Sequence, residues 1–296
     1  MWNFEKKRSG WKEKILSFFF PIELKIIENE KNLDFEEKLL RLPKWKNKDK
    51  IQKRIEEIKR KEQTKQIILA NEVKEYLGDE YFKEEKKELE NRIKKYFVLE
   101  ELEYLLNKQG INFENAEIYI LANEYSKQMK EILEYFMAKF KLVHVLSKNQ
   151  KYYTRWIERL EEDEQTNIIY SHNYRKSLLK AKMIINIDFS NQELKKYKIN
   201  QDAIILQLCQ EKPELKQIFN GIYIMNTVLD YDKTRLGIYS DLNAFSFKEV
   251  YVSRINQETN IKEVWRKIKK DNIKVRYLEG INGKIEEKEY KTILKS

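Results

Sequence analysis

Short apolar runs alternate with helix-like patterns along residues 111–230. The runs hold five or six residues, and their starts lie 16 to 25 residues apart, which is typical of strand–helix–strand units. Nearly continuous apolar runs indicate parallel strands that are covered on both faces. The pattern therefore predicts a doubly wound, mainly parallel α/β sheet. Its strands are expected at residues 117–122, 142–147, 167–171, 183–188, 203–208 and 222–226.

The chain before this sheet has a different pattern. Residues 1–66 include a charged stretch in which Ile51, Ile55 and Ile58 form a narrow apolar stripe, so we predict a basic helical region there. Residues 67–110 are expected to supply a short buried strand, around 66–70, and then a long helix. Gly110 stands where the left-handed cap of that helix is expected.

The last segment, residues 231–296, is predicted to be an extension of the sheet domain. Its basic residues around Trp265 predict a short helix. Residues 274–278 and 284–290 flank an Asn-Gly pair that is typical of tight hairpin turns. We therefore expect a helix followed by a β-hairpin.

Composition excludes several classes of protein. The 296 residues carry a formal charge of +10, and 41% of them are hydrophobic, which is enough for a packed core. One cysteine and two histidines exclude a disulfide framework and Cys- or His-rich metal clusters, so we expect no metal site and a reducing, cytoplasmic location. No apolar run approaches the roughly 18 residues that span a bilayer, so we expect no transmembrane segment.

The order of these strands resembles a known family of domains. The runs EIYILA, LVHVLS, NIIYS, MIINID and AIILQL follow one another as in the NAD(P)-binding domain of the shikimate dehydrogenase and glutamyl-tRNA reductase type. The resemblance covers residues 116–226. It implies a Rossmann-like sheet with a nucleotide site at the carboxyl ends of its strands.

The phosphate-binding loop departs from that family. A dinucleotide fold places a Gly-x-Gly-x-x-Gly motif after its first strand, because glycines let the diphosphate approach the backbone. Here the corresponding sequence, residues 122–127, is ANEYSK, and no glycine occurs between Gly110 and Gly221. The local donors for a phosphate are Asn123, Ser126 and Lys127, whereas Glu124 would repel it. We therefore expect a degenerate nucleotide site.

Other candidate residues follow from the predicted strand ends. Ser147 and Lys148 after the second strand suit the 2′-phosphate of NADP better than the ribose of NAD, and Asn186 is expected at the same edge. The alternative is that these are ordinary polar loop residues. No other cofactor is indicated.

Two residues are candidates for catalysis, and each also has a structural interpretation. Asp188 is placed to act as a general base or to hold a ribose hydroxyl, but capping of the next turn explains it as well. The spacing of Ser190 and Glu193 matches a capping box before the next helical turn. His172 is placed to transfer protons, but no carboxylate at a known spacing supports that role. His144, inside a strand, is expected to be a core histidine whose hydrogen bonds are satisfied.

The excess of positive charge is concentrated at the start of the chain. Residues 1–66 contain 19 basic and 12 acidic side chains together with Trp2, Trp11 and Trp45. Lysines and exposed aromatic rings are typical of surfaces that bind RNA or an anionic membrane. Interspersed acidic residues weaken this field, and a solvated helical face is the alternative.

Three functions remain open from the sequence. The preferred one is a non-catalytic binding or regulatory protein with a degenerate nucleotide site and an unknown protein or small-molecule partner. The first alternative is an NADP-linked oxidoreductase with an atypical phosphate loop. The second is binding of RNA or a membrane surface through residues 1–66.

Overall fold

A computed structural model gives the fold of the protein. It describes residues 2–4, 22–26, 38–42, 47–61, 68–78, 81–161, 167–208, 219–232, 236, 246–256 and 259–290. The chain divides into two compact units, each built from two segments. Residues 1–93 and 232–258 form the first unit, and residues 94–231 and 259–296 form the second.

Strands and helices occur in both units. The strands are β1 (Trp2–Phe4), β2 (Ile22–Ile26), β3 (Lys38–Leu42), β4 (Glu117–Leu121), β5 (Leu142–Leu146), β6 (Ile168–Tyr170), β7 (Met183–Asn186), β8 (Ile204–Gln207), β9 (Ile222–Ile224), β10 (Asn226–Asp230), β11 (Lys274–Gly280) and β12 (Gly283–Lys284). The α-helices are α1 (Lys48–Lys61), α2 (Asn71–Leu77), α3 (Lys83–Gln109), α4 (Lys127–Met137), α5 (Gln150–Glu161), α6 (Tyr174–Lys180), α7 (Asn191–Leu194), α8 (Phe247–Ser253), α9 (Ile261–Lys270) and α10 (Glu287–Tyr290).

The main sheet of the second unit confirms the predicted fold class. Its six strands run in the order β6-β5-β4-β7-β8-β9, and every neighbouring pair is parallel. Helices connect the first five of these strands, as the spacing predicted. This is the strand order of the Rossmann fold, in which two halves meet between the first and fourth strands. Here those strands are β4 and β7.

Apolar strand residues form the core that holds this sheet in place. One cluster on a single face contains Tyr119, Leu121, Ile184 and Ile205, with Leu178 of α6 packed against them. In β7 and β8 every side chain is buried. This burial explains why these strands appear in the sequence as continuous apolar runs.

The predicted C-terminal extension, residues 231–296, is divided between the two units, because residues 232–258 belong to the first unit and only residue 231 and residues 259–296 belong to the second. The helix predicted around Trp265 is present as α9. Strand β11 pairs antiparallel with both β10 and β12. The second arm of the predicted hairpin, 284–290, is only partly extended, because residues 287–290 form α10. Tyr290 of α10 is buried, so packing of this helix replaces the longer strand.

The first unit contains α1 as predicted, and it also contains strands. β3 lies between β1 and β2 in a small sheet, so the segment expected to be helical is mixed. The strand predicted at 66–70 is also absent from its described part, residues 68–70, where Leu69 makes only an isolated bridge. Residues 68–70 are buried and lead directly into α2, which begins at Asn71.

The long helix α3 ends where the sequence predicted. Gly110 follows it with a φ of 64°, a conformation that glycine adopts without steric penalty. Among the described helices, none combines the length and apolarity needed to cross a bilayer.

Candidate functional site

The reversal of strand order between β4 and β7 defines the candidate site. Open α/β sheets bind ligands at such a point, beyond the carboxyl ends of the strands. Residues 122–126 connect β4 to α4 here, and residues 187–190 follow β7. We call the space between these two loops the crevice.

Asp188 fills the anion-binding position of the loop after β4. The backbone N–H of Asn123 donates to Asp188 Oδ1, and the backbone N–H of Glu124 donates to Asp188 Oδ2, both at 2.6 Å. Successive N–H groups of this kind are the ones that loops before helices offer to phosphate oxygens. Both N–H donors of this loop are therefore already bonded to the carboxylate of Asp188.

This contact corrects the capping role that the sequence suggested for Asp188. The turn after β7 is instead closed by Asn186, whose Oδ1 accepts from the backbone N–H of Phe189 at 2.9 Å. Asp188 binds a loop 64 and 65 residues earlier in the chain. Spacing along the sequence gives no signal for so distant a contact.

Asn123 joins three loops through its side chain and backbone. Its Nδ2 donates to Glu193 Oε1 at 3.0 Å, and its Oδ1 accepts from the backbone N–H of Lys148 at 2.9 Å. Its backbone carbonyl accepts from Asn149 Nδ2. The residue predicted to donate to a phosphate is thus bonded to other parts of the protein.

Glu193 is the centre of a second group of contacts. Ser190 and Glu193 form the predicted capping box of α7. Lys148 Nζ lies 2.5 Å from Glu193 Oε1. Burial alone would raise the pKa of Glu193, but the hydrogen bonds from Lys148, Ser190 and Asn123 lower it to about 2.

Glu124 is held by an ion pair that the sequence did not predict. Its Oε2 lies 2.5 Å from Lys95 Nζ of α3, and its Oε1 accepts from Ser126 Oγ at 2.5 Å. Burial favours the neutral acid, but Lys95 and Ser126 together lower the pKa of Glu124. The acid that would repel a phosphate is therefore charged.

The charges around Asp188 oppose a further anion. Burial raises the pKa of Asp188, and the neighbouring charges of Glu124 and Glu193 raise it too. The two backbone hydrogen bonds only partly offset these effects. An added diphosphate would meet the same unfavourable field.

Ser126 and Lys127 begin α4 but face different surroundings. Ser126 caps the helix, since its Oγ accepts from the backbone N–H of Met129 at 3.1 Å. The side chain of Lys127 is 84% exposed, and its Nζ lies 3.9 Å from Glu131 Oε1. Of these two predicted phosphate donors, Ser126 is used by the loop itself.

Ser147 and Asn186 are both buried at the carboxyl edge of the sheet. Ser147 Oγ accepts from the backbone N–H of Asn149 at 3.0 Å. Asn186 Nδ2 donates to Phe189 O at 3.0 Å and to Gln207 Oε1 at 2.9 Å. Both predicted cofactor contacts are thus bonded to other groups of the protein.

The two histidines occupy separate environments. His172 is exposed, and its Nδ1 lies 2.9 Å from Gln150 Nε2. His144 has the hydrogen-bond partner expected for it, since Nε2 lies 2.7 Å from Glu117 Oε1 and its ring stacks on Tyr119 at 4.2 Å, but it is only partly buried and is therefore not a core histidine. Cys209 lies outside the described residues. Within the described ranges, no group of three or more His, Cys, Asp or Glu is arranged to hold a metal ion.

Sequence reasoning missed the residues that complete this network. Lys95 and Glu193 supply its ion pairs, and Tyr153 donates its hydroxyl to the backbone carbonyl of Glu124. Ser190 and Glu193 were recognised as a capping box, but only the fold brings them to the crevice. Lys95 carried no signal, because it is one of many lysines on a charged helix.

Comparison with known proteins identified no relative of this chain. No family model, curated protein or solved structure matches the chain.

Proposed function

We propose that this chain is a non-catalytic binding or regulatory protein whose nucleotide crevice is closed by its own side chains. The observation that supports the proposal is the pair of hydrogen bonds from Asn123 and Glu124 to Asp188. Each of the two backbone N–H groups already has a charged acceptor. A diphosphate would have to displace a carboxylate that is covalently part of the protein.

The surrounding side chains support the same proposal. Residues 122–126 carry a Cβ at every position, where glycines make room for a diphosphate in dinucleotide folds. Glu124, Asp188 and Glu193 place three acids around the loop, and Lys95 and Lys148 are paired with two of them. Steric and electrostatic effects therefore act in the same direction.

The alternative of an NADP-linked oxidoreductase depends on residues with other roles in the structure. Lys148, expected near a 2′-phosphate, contacts Glu193, and Ser147 is bonded to Asn149. We include no cofactor in the proposed function. NADP binding is the outcome that would contradict it.

Several further parts of the proposal derive from the sequence. We propose that residues 116–226 are a degenerate domain of the shikimate dehydrogenase and glutamyl-tRNA reductase type. We also propose a cytoplasmic location, because the composition suits a reducing compartment. Binding of RNA or anionic membranes through residues 1–66 remains a separate hypothesis, and most of that segment lies outside the described residues.

The proposal is tested by calorimetric titration of the full chain with NADP(H) and NAD(H). We expect no saturable binding up to about 1 mM, which corresponds to a binding free energy weaker than about −4 kcal/mol. Lys127→Ala is the informative variant, because Lys127 was the predicted phosphate donor. Lys198→Ala removes the same charge from an exposed site outside the crevice and serves as the control.

Micromolar binding would overturn the proposal if Lys127→Ala abolished it and Lys198→Ala did not. Such a result would require the loop to release Asp188. It would favour the alternative function, an NADP-linked oxidoreductase.

A further inference from the structure

A second concave region lies at the opposite edge of the sheet. It is a cleft of about 670 Å³ at the amino-terminal ends of β4, β5 and β7, lined in part by Glu117, Tyr119, His144, Lys176, Lys180 and Lys182. Its volume is within the range of small-molecule sites, roughly 300 to 1,000 Å³. We propose that this cleft binds a small organic phosphate monoester.

The charges of the cleft favour a dianion. Lys176 and Lys180 are four residues apart on α6, and Lys182 precedes β7, so three lysines line one cleft. Glu117 is the acid in the same lining. Among the described lining residues the lysines outnumber the acid, which favours a phosphate monoester, because that group carries nearly two negative charges and three acceptor oxygens at neutral pH.

Glu117, the acid among the described lining residues, has partners within the sheet. Glu117 Oε1 accepts from the hydroxyl of Tyr119 at 2.7 Å and lies 2.7 Å from His144 Nε2. Tyr119 and His144 are register partners on β4 and β5, which fixes both rings against the same carboxylate. Glu117 is therefore held against the wall of the cleft, while Lys176 and Lys180 occupy exposed positions.

The remaining lining indicates that the ligand has an organic part. Ile111, Ala116, Leu142 and Met183 contribute apolar surface. An inorganic phosphate ion would leave most of a cleft of this volume to water. A phosphate monoester places its charged group at the lysines and its carbon skeleton on the apolar wall.

This inference rests on the proposed function only in treating the chain as a binding protein. The cleft and the crevice lie at opposite edges of the sheet and share no residue named above. Nucleotide titration tests Asp188 and the loop after β4, whereas the following experiment tests α6 and the start of β4. Failure of one proposal is therefore distinguishable from failure of the other.

The test is calorimetric titration of the full chain with glycerol 3-phosphate, inorganic phosphate and glycerol. We expect saturable binding of glycerol 3-phosphate in the range from about 1 μM to 1 mM. Inorganic phosphate should bind at least about tenfold more weakly, because it lacks the organic part. Glycerol alone should not bind, because it lacks the charge.

Charge reversal provides the matched variants. Lys176→Glu combined with Lys180→Glu should weaken glycerol 3-phosphate binding by more than about tenfold. Lys196→Glu combined with Lys198→Glu makes the same change in net charge at exposed positions outside the cleft, and should leave the affinity within about twofold. Lys176→Gln with Lys180→Gln is the milder variant if the reversed pair disturbs folding.

Three outcomes would overturn the proposal. The first is absence of saturable glycerol 3-phosphate binding by the full chain. The second is an equal loss of affinity in the two reversed pairs, which would indicate a nonspecific effect of net charge. The third is equal affinity for inorganic phosphate and glycerol 3-phosphate, which would exclude a role for the apolar wall.

Discussion

Asp188 illustrates how one side chain can occupy a ligand position. Its two oxygens each accept one backbone N–H, from Asn123 and from Glu124. A carboxylate is a suitable partner for two adjacent donors because each oxygen faces one of them. The loop after β4 is therefore stabilised from within, and its donors are not offered to solvent.

We expect Asp188→Ala to lower the free energy of unfolding by about 2 kcal/mol, because two partly buried N–H groups lose their acceptor. Chemical denaturation monitored by circular dichroism measures the change. Asp202→Ala, which removes an exposed carboxylate, is the control and should change stability by less than about 0.5 kcal/mol. Equal effects in the two variants would contradict the structural role of Asp188.

Glu100 is a buried acid on α3 whose pKa lies above its usual range. Its Oε1 has no hydrogen-bond partner among the described residues. Burial raises the pKa of Glu100 to about 7, helped by Glu103 and opposed by Lys269. The folded protein therefore holds a proton at Glu100 that the unfolded chain, with an ordinary pKa of 4.5, releases.

This shift predicts the sign of a pH effect on stability. Between pH 4.5 and about pH 7 the folded state binds more protons at Glu100 than the unfolded state does. The contribution of Glu100 to stability therefore falls as the pH rises through that window. Relative to Glu100→Gln, the wild type should lose about 2 kcal/mol of unfolding free energy between pH 5 and pH 8. Denaturation curves at the two pH values measure the difference.

The control for Glu100 is Glu114→Gln, which neutralises an exposed acid of the same unit. Its stability should follow that of the wild type at both pH values. A wild-type protein that instead gains stability relative to Glu100→Gln on raising the pH would show that Glu100 is charged when folded.

At the scale of elements, α4 depends on its N-cap residue, Ser126. Ser126 Oγ accepts from the backbone N–H of Met129, which satisfies one of the open donors at the start of the helix. The helix packs Met129, Ile132, Leu133 and Phe136 into the core. Loss of the cap is therefore expected to destabilise a helix that packs against one face of the main sheet.

The chain provides a matched pair of serines for testing this cap. Ser126→Ala should lower the free energy of unfolding by about 1 kcal/mol, the usual effect of losing an N-cap hydrogen bond. Ser246 holds the N-cap position of α8 without a side-chain hydrogen bond. Ser246→Ala should therefore change stability by less than about 0.5 kcal/mol. Equal changes in the two variants, measured by denaturation, would disprove the capping role of Ser126.

At the scale of the molecule, the second unit is completed by the end of the chain. β10 pairs with β11, and Trp265 of α9 stacks on Phe136 with ring centroids 6.0 Å apart. The backbone N–H of Ile261 also donates to Glu131 Oε2 at 3.0 Å. Residues 259–290 thus cover α4 and continue the strands that follow the main sheet.

We expect a chain that ends at residue 230 to fail to form a stable fold. Without residues 259–290, β10 is an unpaired edge and Phe136 loses Trp265, so apolar surface and backbone donors become exposed. Circular dichroism and size-exclusion chromatography should show partial unfolding or aggregation. A chain that ends at residue 290 keeps all described contacts and is the control. A folded, monomeric 1–230 chain would contradict this prediction.

Much of the sheet domain followed from the sequence, because local pattern and burial coincide there. The buried strands are short apolar runs, and the connecting helices carry apolar residues at helical spacing. Gly110 and the Ser190–Glu193 capping box were predicted because their roles depend on neighbouring residues. The mixed first unit and α10 were not predicted, because their pairing and packing involve residues distant in the chain.

The sequence by itself determined the parallel sheet, the approximate positions of its strands and the missing glycines after the first strand. Only the tertiary structure decided what occupies the resulting crevice. Asp188, Glu193 and Lys95 come from three separate segments, and hydrogen bonds between them and the β4 loop exist only after the strands have assembled. Periodicity reports which face of an element is buried, whereas partners across a crevice depend on how the elements pack together.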